Sequence, residues 1–442
     1  MAQIVPNVVD GTAMTTVELL EAEGSAMGFM YLGGVQTLSF FSGDIDEAYT
    51  YYSTRLASVL KANPWLAGKL INVKDERGVE KVHLQYPAEV ASEEDAKVLL
   101  TSANVFGKVE LAKCKPSPTN SYIANFQAIT AGKCIIPDGY TCIAEKLSQA
   151  KFSLIKCEEG FALVASISHV VCDGHTYYKI MSMLTETGTV EALSTARKHA
   201  FSTEDKKILG QTQANFIFDV NWYNMGFMYQ AIGGICCCKS KKFVSYFLDS
   251  ERVTILKSKV KEEGEVEYCS TLDLITSHFC NATQPRLLQY AVNLRARMPS
   301  VGLTSKDAGN YETVILLADD QYSKPAEIRK VINTPPDTPF AHSGSEGKRA
   351  LPKGCEAFRA RTAILTSWCF DHYSGDLSFG SCKQTLHVPM MELTAAPMDF
   401  AIIYKATPTR MGVFFMVDPH KVTALQANSD TVLSEEECFP AC

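Results

Sequence analysis

The sequence predicts an α/β protein of two domains. Runs with strand and helix periodicity alternate through both halves of the chain, and 442 residues at 46% hydrophobic composition exceed what one core usually supports. A charged stretch without an apolar period, GTVEALSTARKHAFSTEDKKILGQT at 188–212, separates the halves and suits a connector. The expected boundaries are a first domain over 1–190, a connector over 191–213 and a second domain over 214–442.

In the first half, VQTLSFFSG (35–43) reads as a strand. DIDEAYTYYSTRLASVLKAN (44–63) reads as a helix capped by Asp44 or Asp46, with Tyr52, Leu56, Val59 and Leu60 on one face. NPWLAGKLINV turns into a second strand, and KDERG closes a hairpin with VEKVHLQY. GFALVASISH (160–169) is a strand of mostly apolar residues. GHTYYKIMSMLTETG (174–188) then places Tyr177, Ile180, Met181 and Leu184 at helical spacing before Gly188 stops it. The second half repeats the alternation. SYFLDSERVTILKSKVKEEG is a strand and then a helix capped near Asp249 or Ser250, STLDLITSHFCNAT is a helix, and RLLQYAVNLRARMP and NYETVILLAD are strands before a Pro/Gly-rich loop at 334–354.

Charge and cysteine usage narrow the function. With 42 basic against 49 acidic residues scattered along the chain and a net charge of −7, no broad electropositive field is available to hold nucleic acid. The opening MAQIVPNVVDGTAMTT has no basic residues before an apolar core and no small-residue cleavage site, so it does not read as a secretory signal. No stretch reaches the ~18 uninterrupted apolar residues of a spanning helix. A cytoplasmic protein is the expectation. Its fifteen cysteines are scattered, odd in number and set in apolar runs such as TSWCF, which suits reduced buried thiols. No Cys-x-x-Cys pair stands near a second one, so neither a structural zinc nor another metal or cofactor is expected.

The chemistry concentrates in SISHVVCDGHTYY (166–178), a strand-to-helix junction. His169, Cys172, Asp173 and His175 could be read as metal ligands, yet no other cluster supplies a remaining ligand. Cys172 could be a nucleophile with His169 or His175 as its base, or simply a small hydrophobe at a strand end. Asp173-Gly174 could be a plain turn with Asp173 capping the helix and His169 a satisfied core histidine. In the remaining reading His169 is a general base at the end of a rigid strand, and Asp173 holds the loop by pairing with an arginine elsewhere.

Four stretches in order resemble the plant-type BAHD acyltransferases, within the larger group that includes chloramphenicol acetyltransferase and peptide-synthetase condensation domains. LASVLKANPWLAGKL matches at Pro64, Leu66, Ala67, Gly68 and Leu70. HVVCDG matches the His-x-x-x-Asp-Gly signature with His169, Asp173 and Gly174. YAVNLRARMPSVGLTSKDAGNY matches at Asn293, Arg295, Arg297, Pro299, Gly309 and Asn310. LTSWCFDHYSGDLSFG carries Thr366-Ser367-Trp368 ahead of Asp376-Leu377-Ser378-Phe379-Gly380. The last motif departs from the family's Asp-Phe-Gly-Trp-Gly at Leu377 and Ser378. Ser168 stands where wax-ester synthases and condensation domains usually carry a second histidine, which favours the BAHD-like branch.

The resemblance implies two similar chloramphenicol-acetyltransferase-like domains, each a mixed sheet flanked by helices, with a channel between them. It implies a monomeric acyl-CoA-dependent O- or N-acyltransferase with acyl-CoA as co-substrate and a small alcohol or amine as acceptor. His169 would be the general base, Asp173 and Arg295 a salt bridge, Thr366 the oxyanion donor, and Trp368 part of the channel wall. Gly174, Asp376 and Gly380 would be structural, and no role is implied for His175. Lys257 and Lys259 are candidates for the CoA phosphates. Transfer from a carrier-protein thioester, wax-ester-type lipid acylation and a catalytically silent binding protein on the same fold are the alternatives. The Met-rich aromatic segment 222–229 hints at an apolar acceptor.

MGFMYQAIGGICCCKSKKF (225–243) places an apolar run and Cys236, Cys237 and Cys238 before three lysines. It reads either as a peripheral membrane contact with acylated cysteines or as a buried helix ending in a solvated basic turn.

Overall fold

The computed structural model describes residues 5–9, 12–25, 28–111, 115–236, 241–391, 397–427 and 432–440. Its first half is built on a five-stranded sheet ordered Lys383–Pro389, Gly34–Ser42, Phe161–Ser168, Ala150–Lys156 and Phe106–Val109. The central strand Phe161–Ser168 is buried along its whole length, which is why it reads as an apolar run rather than an alternating one. It runs antiparallel to both neighbours, and Phe106–Val109 adds a parallel edge. A small sheet of Val5–Val9, Thr12–Glu18, Glu80–Pro87 and Lys69–Lys74 contains the expected hairpin, whose turn is closed by Asp75 accepting from the amides of Arg77 and Val79.

The second half is a seven-stranded mixed sheet ordered Glu312–Leu317, Leu287–Asn293, Thr362–Ser367, Asp399–Lys405, Met411–Val417, Lys242–Leu248 and Leu433–Phe439. Thr362–Ser367 is parallel to both of its neighbours. The larger apolar core covers the five-stranded sheet and one face of the seven-stranded sheet, through Phe400, Ile402 and Phe414, and a second lies on the other face, through Ala401, Ile403 and Phe415. This is the two-lobed α/β architecture that the resemblance implies, two mixed sheets each flanked by helices.

Local chemistry sets the helix boundaries that matter for the site. Helix Ile45–Ala62 is capped by Asp44, whose carboxylate accepts from the amides of Asp46 and Glu47 at 2.7 and 3.0 Å. Tyr52, Leu56, Val59 and Leu60 form its buried face. The helix after His169 spans Gly174–Met183, shorter than its apolar period suggests: at its end the Leu184 amide turns to the Met181 carbonyl at 3.0 Å, and Arg55 Nε donates to the free carbonyl of Met183 at 2.6 Å. The charged stretch between the halves is not all exposed connector. It contains helix Phe201–Leu209 and the fully buried Arg197.

The lobes share a strand. Lys383–Pro389, from the C-terminal half, pairs antiparallel with Gly34–Ser42, and its His387 is completely buried between Ser39 Oγ at 2.8 Å and Tyr178 OH at 3.1 Å. Burial pushes His387 down to about 3 from 6.5. Burial also lowers His175 to about 4, aided by Arg295, and His372 to about 4, aided by His175. Between these values and 6.5 the unfolded chain binds more protons than the folded one, so stability rises with pH across that window. The midpoint of urea unfolding is therefore expected to fall steadily as pH drops from about 6.5 towards 4, and a flat midpoint over that range would contradict the buried, neutral histidines.

Candidate active site

His169 sits one residue beyond the strand Phe161–Ser168, where the rigid sheet gives way to a turn. Its orientation can be derived from its neighbours. Asn310 Nδ2 donates to Glu23 Oε1 at 3.1 Å and to the backbone carbonyl of His169 at 2.8 Å, both pure acceptors, so the amide NH2 faces them and Oδ1 faces the ring. Oδ1 lies 3.1 Å from His169 Nδ1, which must then carry the proton. Nε2 is left with its lone pair. Burial lowers the pKa of His169 below 6.5, its own carbonyl, Asp173 and Asn310 opposing, and this keeps the ring neutral near pH 7. Phe29 covers one side with ring centroids 4.8 Å apart.

Two buried ion pairs hold this corner. Asp173 caps helix Gly174–Met183 through the amide of Thr176 at 2.8 Å and accepts from Arg295 Nη1 at 2.6 Å and Nη2 at 3.2 Å. The cap and the salt bridge coexist because a carboxylate has lone pairs for both. Arg295 spends its other donors on the Asp307 and Gly309 carbonyls, Asn293 Oδ1 and Thr176 Oγ1. Burial disfavours the Asp173 charge, but the guanidinium outweighs it and holds the carboxyl below the usual carboxylate range.

The second pair is Glu23 with Arg197, at 2.7 Å and with no exposure on either side chain. Glu23 also accepts from the amide of Asn310 at 2.9 Å, so it anchors the residue that orients His169. Gly309 precedes Asn310 with φ of +134°, and a Cβ there would stand 3.0 Å from Arg197 Cζ, so both conformation and space call for glycine.

The described residues lend the metal and cysteine readings of this stretch no support. Among the described residues no group of three or more His, Cys, Asp or Glu side chains converges as a metal site. Cys172 is fully buried, points its thiol at the Asp173 carbonyl, and is pushed well above the usual thiol range by burial and by Asp173. His175 donates from Nε2 to the Ser305 carbonyl at 3.1 Å and accepts at Nδ1 from Asn293 at 3.2 Å, tying the helix of one lobe to a loop and a strand of the other.

Both lobes line one cavity of about 1710 Å³ that contains His169, Asp173, Gly174, His175, Thr366 and Trp368. A pocket for one small ligand is commonly ~300–1,000 Å³, so this one has room for two. Alternation along Thr362–Ser367 turns Ile364 and Thr366 to the cavity, and Trp368 follows with its amide bonded to the Ile403 carbonyl at 2.8 Å. Trp368 packs between Tyr177 and Tyr178, and a side chain on Gly174 would press on Phe370 from 3.4 Å. No protein group bonds the Thr366 hydroxyl among the described residues.

Other candidates lie elsewhere. Asp376 accepts from the amide of Ser378 at 2.8 Å, and Gly380, at φ +46°, forms the tight turn between Phe379 and Cys382. Phe379 stacks on Tyr51 at 4.0 Å, so this motif clamps the shared strand to helix Ile45–Ala62 and does not meet the cavity. Lys257 and Lys259 belong to helix Ser250–Glu262 and do not line the cavity; Lys257 lies half-buried on the same face as Val253 and Val260, and Lys259 is exposed. The lysines that do line it are Lys69, Lys133, Lys146, Lys151 and Lys206.

The 225–243 segment begins in helix Trp222–Cys236, which presents Trp222, Met225, Met228, Tyr229 and Ile232 to solvent. Cys237 and Cys238 lie outside the described residues. Lys241 is not a free surface charge: its Nζ is 3.0 Å from Asp399 and 2.9 Å from Asp418, which weakens the reading of the lysine run as a lipid-facing patch. Among the described residues no helix is long and apolar enough to cross a membrane.

The fold itself has relatives of known structure. Fusarium graminearum TRI101 in complex with coenzyme A and deoxynivalenol matches with a TM-score of 0.57 at 11% identity, covering 94% of this chain and 98% of that one. Polyketide synthase associated protein 5 from Mycobacterium tuberculosis matches with a TM-score of 0.53 at 12% identity, over 93% of this chain and 96% of that one. The first condensation domain of the calcium-dependent antibiotic synthetase, with a bound substrate analogue, matches with a TM-score of 0.51 at 13% identity, over 92% and 93%. The chain therefore has the two-lobed fold shared by these proteins, over essentially its whole length. No family model and no curated protein sequence matches it.

Proposed function

We propose that this protein is an acyltransferase that moves an acyl group from acyl-CoA to a hydroxyl or amine of a small acceptor, and that it works in the manner of the BAHD enzymes its four motifs resemble. The observation that carries the reading is His169 Nε2, left with a lone pair by Asn310, on a two-lobed cavity large enough for a donor arm and an acceptor.

A thioester already has a good leaving group, so the chain has two tasks: activate the nucleophile and hold the oxyanion. His169 Nε2 takes the proton of the acceptor O–H or N–H as that atom bonds to the thioester carbonyl carbon. The carbonyl oxygen becomes an oxyanion, to which the Thr366 hydroxyl donates. Collapse breaks the C–S bond, and the imidazolium returns its proton to the departing CoA sulfur. No acyl-enzyme is needed. Lys133 and Lys146 stand on turns and Lys151 near the start of strand Ala150–Lys156, with Ser148 Oγ donating to the Ala103 carbonyl at 2.9 Å, and the three give the cavity a basic end for the CoA phosphates.

Thr366→Val removes the hydroxyl and keeps the shape. It is expected to lower kcat by roughly 10²-fold with little change in KM, since the bond forms only as the oxyanion develops. Steady-state kinetics on the variant test this, and an unchanged kcat removes Thr366 from the mechanism.

A further inference from the structure

The wall of the cavity carries an acid that the proposed reaction does not use. Glu312 begins the edge strand Glu312–Leu317, directly opposite Asn293, and lines the cavity on the same sheet face as Ala291, Val314 and Ile364. Two strand spacings and a register offset of two residues, from Asn293 to Ala291, place it about 12 Å from Thr366, a distance a small acceptor spans.

Among the described residues no donor meets the Glu312 carboxyl. The one cation nearby, Arg295, has its N–H groups committed to Asp173, Asn293, Thr176 and backbone carbonyls. Burial, with the Asp173 charge adding and Arg295 opposing, raises Glu312 to about 8, so it holds a proton when the cavity is empty. A second acid lines the same cavity. Asp205, on helix Phe201–Leu209, is only 7% exposed, has one oxygen without a partner, and is raised to about 6 by burial, the Thr313 hydroxyl on the same edge strand and Lys206 opposing. Asp205 meets Thr313, which alternates to the other face of the edge strand from Glu312, so the two acids stand on different parts of the cavity lining; an acid short of donors is an arrangement that a cation completes.

We propose that Glu312 is an acceptor-selecting residue and that the acceptor carries a basic nitrogen, which Glu312 holds as an ammonium group while the nucleophilic end reaches His169. The identification of this ligand as an acceptor rests on the acyltransferase reading. The binding step is a proton exchange. Either a neutral amine takes the Glu312 proton, the carboxyl O–H bond breaking as the N–H bond forms, or an ammonium enters as the Glu312 O–H bond breaks and its proton passes to water; in both cases one N–H⁺ to carboxylate contact results and no bond between heavy atoms changes. The apolar remainder of the wall, including Phe29, Phe400 and Met398, accommodates the hydrocarbon body.

The test uses matched probes: ω-dimethylamino-alkan-1-ols of several chain lengths, each paired with the alcohol in which an isopropyl carbon replaces the nitrogen. Their binding to the full-length protein is measured by calorimetry, on the native chain and on Glu312→Gln. The amine member of at least one pair is expected to bind about tenfold more tightly or better to the native chain, and that preference is expected to fall to about threefold or less in Glu312→Gln. Since the Glu312 carboxyl meets no donor among the described residues, Glu312→Gln is expected to fold, which its melting temperature verifies. Equal binding within every pair, or a preference that survives Glu312→Gln, overturns the proposal. Binding is read without turnover, so absence of CoA release from any donor counts against the acyltransferase reading and leaves the ammonium subsite to be judged by the binding ratios.

Discussion

Replacing His169 with alanine is expected to lower kcat/KM for acyl transfer by about 10²–10⁴-fold while leaving the melting temperature unchanged. The separation of the two effects follows from the geometry. His169 is only partly buried, and among the described residues the side chain that bonds its ring is Asn310, at 3.1 Å, whose other partners remain in place. The pH dependence of the native protein adds an independent check. Because burial lowers the His169 pKa, the base is free above a value below 6.5, and kcat/KM is expected to rise with pH to a plateau whose half-point lies under 6.5. Activity that persists in the alanine variant, or an acid limb centred above 6.5, would remove His169 from the general-base role.

The largest effect on stability is expected from Arg295→Met. The substitution leaves Asp173, 1% exposed, without its cation, and breaking one side of a buried pair costs about 3–5 kcal/mol. Asp173→Asn in the same background removes the stranded charge while keeping an oxygen to accept from Thr176. The double variant is therefore expected to recover a substantial part of the loss in urea unfolding, without recovering activity. If the double variant is no more stable than Arg295→Met alone, the cost does not come from the unpaired carboxylate, and the loop is held by something other than this pair.

The parts of the fold that were legible in the sequence are those where a single local rule decides. Phe161–Ser168 is apolar throughout because both faces are covered, and Ile45–Ala62 shows its buried face and its Asp44 cap directly. Asp173, Arg295, His169 and Thr366 fall within short motifs; the structure pairs Arg295 with Asp173 and sets His169, Asp173 and Thr366 on one cavity. The rest depends on contacts between residues far apart in the chain. Glu23 and Arg197 lie 174 positions apart, one in an ordinary acidic run and the other in a stretch that looks like a solvated connector, and neither shows that it is fully buried. The shared strand Lys383–Pro389 carries a lysine, a glutamine and a histidine, so nothing in its composition places it beside Gly34–Ser42; its register comes from the fold. Lys257 and Lys259 were chosen by charge, and charge along a helix is usually just its solvated face. Asn310 was visible in the Gly-Asn motif, but its function as the group that fixes the His169 tautomer required three hydrogen bonds to be seen together.

The most direct test of the account is acceptor-dependent release of free CoA, followed by mass spectrometry because the fifteen protein thiols interfere with thiol dyes. The purified protein and His169→Ala are incubated with acetyl-, malonyl- and long-chain acyl-CoA and a pool of alcohols and amines. The account predicts CoA release that needs an acceptor and is lost in the variant. A folded native protein that releases no CoA from any donor, or a variant that releases it at the native rate, would contradict it.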